Sequence, residues 1–493
     1  MEAFRSKFNT FLRISLTFFV CLAALFAVGY TFFCIKSCYI KLFYCVVTFL
    51  AVLGVVLFIF RKKLSLNFAK NLIRKLSLTD ILIIAAILRI MFVSIIPVTQ
   101  TSDFKIMFIH AADVAQGNYS SFHDFNYFAR FAHDTVTVLY FSLFYHLSET
   151  PQMIVEYFNV IFQLVAVFYM YKLTKFVFKN EFTAKTCTLL IAIFPAYIIY
   201  CGVTMSENMA TPFFIASVYY FFKGLEAKKK YANIQFYLLS GALLSVANMF
   251  RMVGIVFLIA YLMYTLIYKG IKPSIKMAVP SIIAYALILI ISSKALLYSG
   301  ITEVDLWNSK EPNITSMLKG SNIEYFGMFN QEDASLPESL NYDKDAISRE
   351  SKRIIIQRLT TSNPLRVLGL YISKLAVQWG IGDFAASEWI DKEINGPFDK
   401  NKYAVEAFEQ LFYIFILILI YRNISKDKSK NEPIKFFYIL LGGFILTYLM
   451  TEMQQRYAFI AVWVLLIIAG QNFEGFKLKS VLKKEMLYNK IVL

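Results

Sequence analysis

The sequence has little charge for its length and few residues of the kinds that bind metals or form cross-links. Only 17% of its 493 residues are charged, which is too little to cover a soluble protein of this size. The six cysteines and four histidines show neither a CxxC pair nor a metal-ligand spacing, which argues against a zinc site or a disulfide scaffold. The net charge of +17 is spread between apolar runs, with no basic stripe of interleaved aromatics, so we expect no nucleic-acid partner.

Long apolar runs make up most of the chain. Hydrophobic residues account for 58% of it, with 49 Phe and 31 Tyr, and the mean hydropathy is +0.57. A membrane-spanning helix needs roughly 20 apolar residues. The runs that approach this length are 12–33, 39–60, 79–97, 151–173, 183–202, 208–223, 233–250, 252–268, 275–297, 406–421, 434–451 and 455–472. We therefore predict an all-α polytopic membrane protein with about 12 transmembrane helices.

Basic residues indicate which loops face the cytoplasm, because cytoplasmic loops carry an excess of Lys and Arg. Residues 61–75 contain six basic residues and no acid, and residues 172–185 contain four lysines and one acid. Both stretches are therefore predicted to lie inside, which leaves one outward and one inward crossing between them. The short apolar segment 135–147 is then predicted to lie on the outer face or to dip into it. The amphipathic segment 363–380 is predicted to be a helix on the outer face or partly inserted.

This topology divides the chain into four parts and puts both termini in the cytoplasm of a multi-pass cell-membrane protein. They are two N-terminal transmembrane helices with a basic cytoplasmic loop (1–76), a transmembrane core (77–297) with a first outer loop at 98–150, a mixed extracytoplasmic loop domain (298–405), and C-terminal transmembrane helices with a basic tail (406–493).

Charged residues gather at the predicted outer ends of separate helices. They are Asp103 and Lys105 in "TSDFK", Glu207 in "CGVTMSENMA", Arg251 in "NMFRMVG" and Arg456 in "TEMQQRYAF". Arg89 lies at membrane depth within 79–97, and a charge at that depth usually faces a cavity or a partner. The pattern predicts an extracytoplasmic site built from several distant turns.

Acids and arginines on one side of a membrane suit group transfer from a lipid-linked phosphate. The phosphate stays at the interface because its lipid tail remains in the bilayer. Its negative charge grows as the transferred group departs, which favours arginine with its bidentate hydrogen bonds. The incoming hydroxyl needs a carboxylate that takes its proton, and Asp103 just outside the bilayer is within reach.

Two stretches carry a recognisable order of residues. The first, "LRIMFVSIIPVTQTSDFKIMFIHAADVAQGNY" (88–119), contains Arg89, Asp103, Ala111, Ala112, Gly117 and Tyr119, and the second, 158–221, contains Asn159, Ala184, Pro195 and Glu207. This order resembles the membrane glycosyltransferases of the GT-C fold, especially the protein O-mannosyltransferase and aminoarabinose-transferase-like group (glycosyltransferase family 39). The resemblance covers roughly residues 79–300 and 434–472.

The resemblance implies a GT-C-like catalytic core that uses a polyprenyl-phosphate sugar and usually inverts the anomeric centre. It implies that Asp103 is the general base and that Glu207 positions the acceptor or a metal. Arg251 and Arg456 match positions expected near the donor phosphate, and Lys105 and Arg89 are assigned to the same group. The chain departs from eukaryotic mannosyltransferases in having a single acid at 103 and no β-rich luminal domain, which argues against protein hydroxyls as acceptor.

We therefore predict a glycosyltransferase that modifies a cell-envelope glycan or lipid on the extracytoplasmic face. Its partners would be membrane lipids, the lipid-linked donor and a glycan or lipid acceptor. No metal ligand is assigned, and a divalent metal is the one cofactor left open. The alternatives are a polysaccharide polymerase or ligase that uses a diphosphate-linked glycan, and a lipid or glycan transporter, for which charges deep in several helices would be expected.

Overall fold

A computed structural model describes residues 2–37, 70–389, 402–426 and 431–474, and every regular element in these ranges is helical. The α-helices are α1 (Glu2–Ser37), α2 (Leu78–Ile95), α3 (Ser102–Ala115), α4 (Tyr127–Arg130), α5 (Thr135–Tyr145), α6 (Pro151–Phe178), α7 (Glu181–Ile193), α8 (Pro195–Ile199), α9 (Glu207–Glu226), α10 (Lys230–Phe250), α11 (Gly254–Tyr268), α12 (Ile271–Tyr298), α13 (Ile314–Gly320), α14 (Gln331–Ala334), α15 (Leu336–Ser339), α16 (Lys344–Thr361), α17 (Pro364–Gly380), α18 (Lys402–Lys426), α19 (Ile434–Met450) and α20 (Val462–Gly470). Short 3₁₀ helices lie at Ser120–Phe122, Ala132–Asp134, Tyr200–Gly202, Ala386–Trp389, Gln455–Ala461 and Gln471–Phe473.

The predicted all-α, multi-pass membrane architecture is confirmed. Among the described residues, six helices are long and apolar enough to cross a membrane, or seven if a pair bent by 59° is one span. The six are Glu2–Cys34, Leu78–Ile95, Pro151–Phe178, Ile271–Tyr298, Lys402–Ser425 and Gln455–Phe473, and the bent pair is Glu181–Ile193 with Pro195–Gly202.

The number of spans that meet this test is smaller than the twelve apolar runs of the sequence. The run at 39–60 lies outside the described residues, and each of the other runs coincides with a helix or with the bent pair. Two of these helices, α11 and α19, have only 15 and 17 residues. The helices α9 and α10 are long enough but carry buried polar residues, which lower their hydropathy.

Small and polar side chains hold the central helices close together. Helix α9 packs on α6 and α10, and α10 packs on α12. The hydroxyl of Ser217 donates to the carbonyl of Ser240 at 2.8 Å, and Gly241 lies directly against the backbone of Ser281. Contacts between small residues let helix backbones approach within a membrane, where lipid and side chain are equally apolar.

Arg89 donates hydrogen bonds to free carbonyls at the end of α7. Helix α7 ends before Pro195, which cannot continue its hydrogen-bond ladder, so the last carbonyls of α7 lose their helical partners. The fully buried guanidinium of Arg89 donates to the carbonyls of Ile191 at 3.2 Å and Ala192 at 2.8 Å. Its charge at membrane depth is therefore explained by a helix-capping contact.

The polar segment between α12 and α17 (residues 299–363) folds into helices at one end of the bundle. Helix α13 packs on α16, and α17 descends from this segment into the bundle beside α1. The ring of Trp379 near the end of α17 lies 5.4 Å from that of Phe19 in the middle of α1. The regular structure of the predicted loop domain (298–405) is therefore helical in its described part, and its amphipathic helix α17 packs against α1.

Candidate active site

A cavity of about 890 Å³ lies between the helix ends and the polar segment. Four of the six predicted site residues line it: Asp103, Glu207, Arg251 and Arg456. They come from the first turn of α3, the first turn of α9, the junction of α10 with α11 and the 3₁₀ helix after α19. The fold thus brings together charges that are up to 353 positions apart in the chain.

Asp103 and Arg456 form the shortest ion pair of this cavity. Nη2 of Arg456 donates to Oδ2 of Asp103 at 2.6 Å, and the phenol of Tyr127 donates to Oδ1 at 3.1 Å. The guanidinium of Arg456 lies over the rings of Phe104 and Trp389, 4.9 and 5.7 Å from their centroids. These rings hold the arginine at one edge of the cavity while its charge stays directed at Asp103.

The surroundings of Asp103 keep its carboxylate ionised. Burial raises the pKa of Asp103, but the charge of Arg456 and hydrogen bonds from Arg456, Tyr127 and Ser102 outweigh it, so the pKa lies below its ordinary value. Burial, and then the charge of Asp103, raises the pKa of Tyr127, so this phenol remains a hydrogen-bond donor. Asp103 can accept a proton only weakly while Arg456 is bound to it.

A second pair of opposite charge also lines the cavity. Nε of Arg251 is 3.3 Å from Oε1 of Glu207, and both side chains are largely buried. The guanidinium of Arg251 lies 4.9 Å from the ring centroid of Tyr457, the residue that follows Arg456. The guanidinium of Arg456 also lies 5.4 Å from this ring centroid, so both arginines contact the same tyrosine.

The buried side-chain amide of Gln100 links the chain segments that precede Asp103 and Glu207. The side chain of Gln100 donates to the carbonyl of Gly202 at 3.0 Å and accepts from the backbone of Thr204, also at 3.0 Å. This ties the segment before Asp103 to the turn before Glu207. The sequence context of Gln100 did not single out this link.

Charged residues of the polar segment continue the network around the cavity. Nζ of Lys319 is 3.1 Å from Oε2 of Glu452, and the amide of Gln454 donates to Oε1 of Glu452 at 2.6 Å. Nε of Arg456 in turn donates to Oε1 of Gln454 at 2.6 Å. A continuous chain of contacts therefore leads from α13 through the turn after α19 to Asp103.

Another ion pair lies where the polar segment meets the first loop. Arg130 donates to Glu311 through Nε at 3.1 Å and through Nη2 at 2.8 Å. The guanidinium also lies 5.1 Å from the ring centroid of Tyr342. This contact docks the polar segment on the loop that carries Asp103 and closes that side of the cavity.

Two predicted site residues lie elsewhere. Lys105 is exposed on α3 and does not line the cavity. Arg89 is enclosed beneath the helix break, where its guanidinium donates to the backbone carbonyls of Ala85, Ile191 and Ala192. Within the described ranges, no group of three or more His, Cys, Asp or Glu is arranged to hold a metal ion.

The cavity also contains residues that sequence reasoning missed. Tyr127, Lys319, Trp389 and Tyr457 contact the charged groups directly. Lys319 belongs to a polar segment without hydrophobic periodicity, so nothing marked it out from neighbouring lysines. For Tyr457, its position beside Arg456 in an outer turn was a usable signal.

Comparison with known proteins shows which family part of this fold is similar to. Residues 133–298 match the dolichyl-phosphate-mannose-protein mannosyltransferase family, and this match covers about a third of the chain. No curated protein matches the chain significantly. The chain is a membrane glycosyltransferase-like protein of the GT-C type. Glu207 and Arg251 lie inside the matched region, whereas Asp103 and Arg456 flank it on either side.

Proposed function

We propose that the protein transfers a sugar from a polyprenyl-phosphate donor to an acceptor hydroxyl on the extracytoplasmic face of the membrane. The observation that carries this proposal is the pairing of Asp103 with Arg456 in one cavity. One partner is a suitable general base and the other a suitable phosphate ligand. The acceptor would be a cell-envelope glycan or lipid.

The ion pair would exchange partners during the reaction. The donor phosphate accepts hydrogen bonds from Arg456, whose guanidinium turns away from Asp103. Without that neighbouring positive charge, the burial of Asp103 dominates and its pKa rises, which makes it a stronger base. The donor thereby prepares the base that its own reaction needs.

The transfer step is then a single displacement at the anomeric carbon. The acceptor oxygen attacks the anomeric carbon of the sugar while its proton passes to Asp103. The bond between that carbon and the phosphate oxygen breaks, and its electron pair stays on the departing polyprenyl phosphate. Arg456 stabilises the charge that develops there, and attack opposite the leaving phosphate inverts the anomeric centre.

Glu207 and Arg251 would serve the same step as a second charged pair in the cavity. Arg251 adds a second positive charge within reach of the phosphate, and Glu207 is an acceptor for hydroxyl groups of the sugar or of the incoming substrate. Glu207 is largely buried, so an unpaired carboxylate there would be costly. We therefore assign it to positioning, and Asp103 alone to proton transfer.

The distribution of basic residues supports an extracytoplasmic position for the cavity and cytoplasmic termini. At the opposite end of the bundle, Glu432 pairs with Arg5 at 3.0 Å and with Lys269 at 2.6 Å. Lys175 and Lys185 are near the ends of helices joined by the loop at 179–180, which also faces that end. An excess of basic residues is typical of cytoplasmic loops.

A transfer assay with the purified protein tests the proposal. Sugars linked to polyprenyl monophosphate and glycans linked to polyprenyl diphosphate are offered with acceptor lipids and glycans. We expect transfer from the monophosphate donor, with loss of transfer in Asp103→Asn. Transfer from diphosphate-linked glycans alone would identify a polymerase or ligase, and movement of lipid across vesicles without transfer would identify a transporter.

A further inference from the structure

An exposed aromatic turn lies beside the cavity, between α13 and α14. Its sequence is "YFGMF", residues 325–329, and its apolar side chains are between 43% and 55% exposed. Four large apolar residues in one turn would be unfavourable in water. Exposed apolar patches of this kind usually mark an interaction surface.

The backbone holds this turn in an unusual shape. Phe326 has a φ of 52° and Gly327 a φ of 76°, so a bulky residue occupies the left-handed region beside a glycine. The backbone N–H of Met453 donates to the carbonyl of Gly327 at 2.7 Å, which fixes the turn to the segment that leads to Arg456. A strained conformation that is held so firmly points to a function for the displayed side chains.

The depth of α17 locates the turn relative to the membrane. Gly380 at the end of α17 packs on Phe26 of α1, and Tyr413 near the middle of α18 donates to the carbonyl of Trp379 at 2.7 Å. The lower end of α17 therefore lies near the middle of two membrane-spanning helices. From there a helix rises about 1.5 Å per residue, and the hydrocarbon boundary is about 15 Å away.

This geometry puts the upper end of α17 at the lipid headgroups. Ile372 lies about 12 Å above Gly380 along the helix, and Leu368 and Leu365 lie about 18 and 22 Å above it. These three residues are exposed and share one helix face at spacings of three and four. The exposed face of α17 thus passes from the acyl chains into the headgroup region.

The turn lies at the same level as this face. Arg366 of α17 pairs with Glu324, the residue before the turn, at 2.7 Å, and Gly327 packs against the side chain of Lys374. The turn is therefore held beside α17 between residues 366 and 374. Aromatic residues are favoured at this level of a membrane, where their rings bridge apolar and polar surroundings.

We infer that the 325–329 turn, continuous with the exposed face of α17, rests in the headgroup boundary of the leaflet beside the cavity, where a lipid-linked substrate enters the cavity. Phe329 belongs to both surfaces, because it is exposed and also lines the cavity. Nζ of Lys319 lies 5.7 Å from its ring centroid. A lipid phosphate that passes Phe329 meets Lys319 first, and the chain of contacts from Lys319 ends at Arg456.

Contact with lipid is tested first, without reference to any activity. Phe326→Trp and Ile356→Trp variants are placed in nanodiscs with acyl-brominated or ordinary lipids. The wild-type fluorescence is subtracted, and the remaining signal of the introduced tryptophan is compared between the two lipids. Ile356 is the matched control, since it is 51% exposed on α16, a helix with charged neighbours such as Lys352 and Arg353. We expect at least twofold quenching of the added signal for Phe326→Trp and none for the control. Equal quenching in both variants, or none in either, would overturn the inference.

The route of the substrate is tested second, and this part rests on the proposed function. Phe326→Ser/Met328→Ser should raise the KM for a long-chain polyprenyl-phosphate sugar in bilayers at least fivefold. The kcat/KM for a short-chain, water-soluble analogue should stay within twofold of wild type, because the double variant leaves the cavity lining intact. An equal loss with both donors would refute the route, whereas absence of transfer by wild type would refute the proposed function instead.

Discussion

Replacement of Asp103 by asparagine should separate binding from catalysis. Asparagine keeps the shape of the side chain, and its oxygen still accepts the hydrogen bond from Tyr127, so the cavity remains folded. Transfer should fall ~10²–10⁴-fold, which is the usual contribution of a general base. This loss corresponds to about 3–5 kcal/mol in the activation barrier.

The same substitution should strengthen binding of the lipid phosphate. Arg456 is bound to Asp103 at 2.6 Å, with side chains 11% and 36% exposed, so this pair is intermediate between a surface and a buried ion pair. Separation of Arg456 from Asp103 then costs about 1–2 kcal/mol in wild type, and the substitution removes this cost from phosphate binding. Polyprenyl phosphate should therefore bind Asp103→Asn roughly 5–30-fold more tightly than wild type.

The assays are transfer of a labelled sugar and equilibrium binding of polyprenyl phosphate, both with purified protein. Asp113→Asn is the matched control, because it makes the same change on α3 in an exposed pair with His110 outside the cavity. It should alter neither quantity more than twofold. Weaker phosphate binding by Asp103→Asn, or transfer within threefold of wild type, would refute the exchange of partners.

Three further predictions concern the charges and the packing. In wild type the pKa of Asp103 is low, so kcat/KM should fall only as the pH drops below the ordinary aspartate range. In Arg456→Gln the effect of burial on this pKa prevails, so the acidic limb of the plot of kcat/KM against pH should move to higher pH. An acidic limb at the same pH in wild type and Arg456→Gln would contradict the pairing of Asp103 with Arg456. Arg89→Met should lower the melting temperature by several degrees, measured by thermal unfolding in detergent, while the donor KM of the folded fraction stays within twofold; a large change in that KM would restore its predicted phosphate role. Gly241→Val should prevent the close approach to Ser281 and reduce the yield of folded protein in size-exclusion chromatography, and a yield equal to wild type would show that α10 and α12 can separate freely.

The helices were predictable because the signals for them are local. Each apolar run outside residues 39–60 corresponds to a helix or to the bent pair, and the amphipathic pattern of 363–380 indicated α17 within a residue or so at its start. Which runs are long and apolar enough to cross was less predictable. In α9 and α10 the polar residues pair with neighbouring helices, and this pairing depends on tertiary packing.

The candidate site was predictable in part for a physical reason. Charges beside apolar helices are costly unless they are paired or lie at an interface, so Asp103, Glu207, Arg251 and Arg456 stood out in the sequence. Which acid pairs with which arginine depends on the packing of distant turns. The sequence grouped Arg89 with the phosphate ligands because its carbonyl partners arise only when the chain breaks before Pro195.

The most direct test is to map where the donor binds. A polyprenyl-phosphate sugar with a photoreactive group on the sugar is crosslinked to the protein in membranes, and labelled peptides are identified by mass spectrometry. We predict labels on cavity residues around Asp103 and Arg456, with loss of most labelling in Arg456→Gln. Labels confined to the opposite end of the bundle, around Glu432, Arg5 and Lys269, would contradict the account.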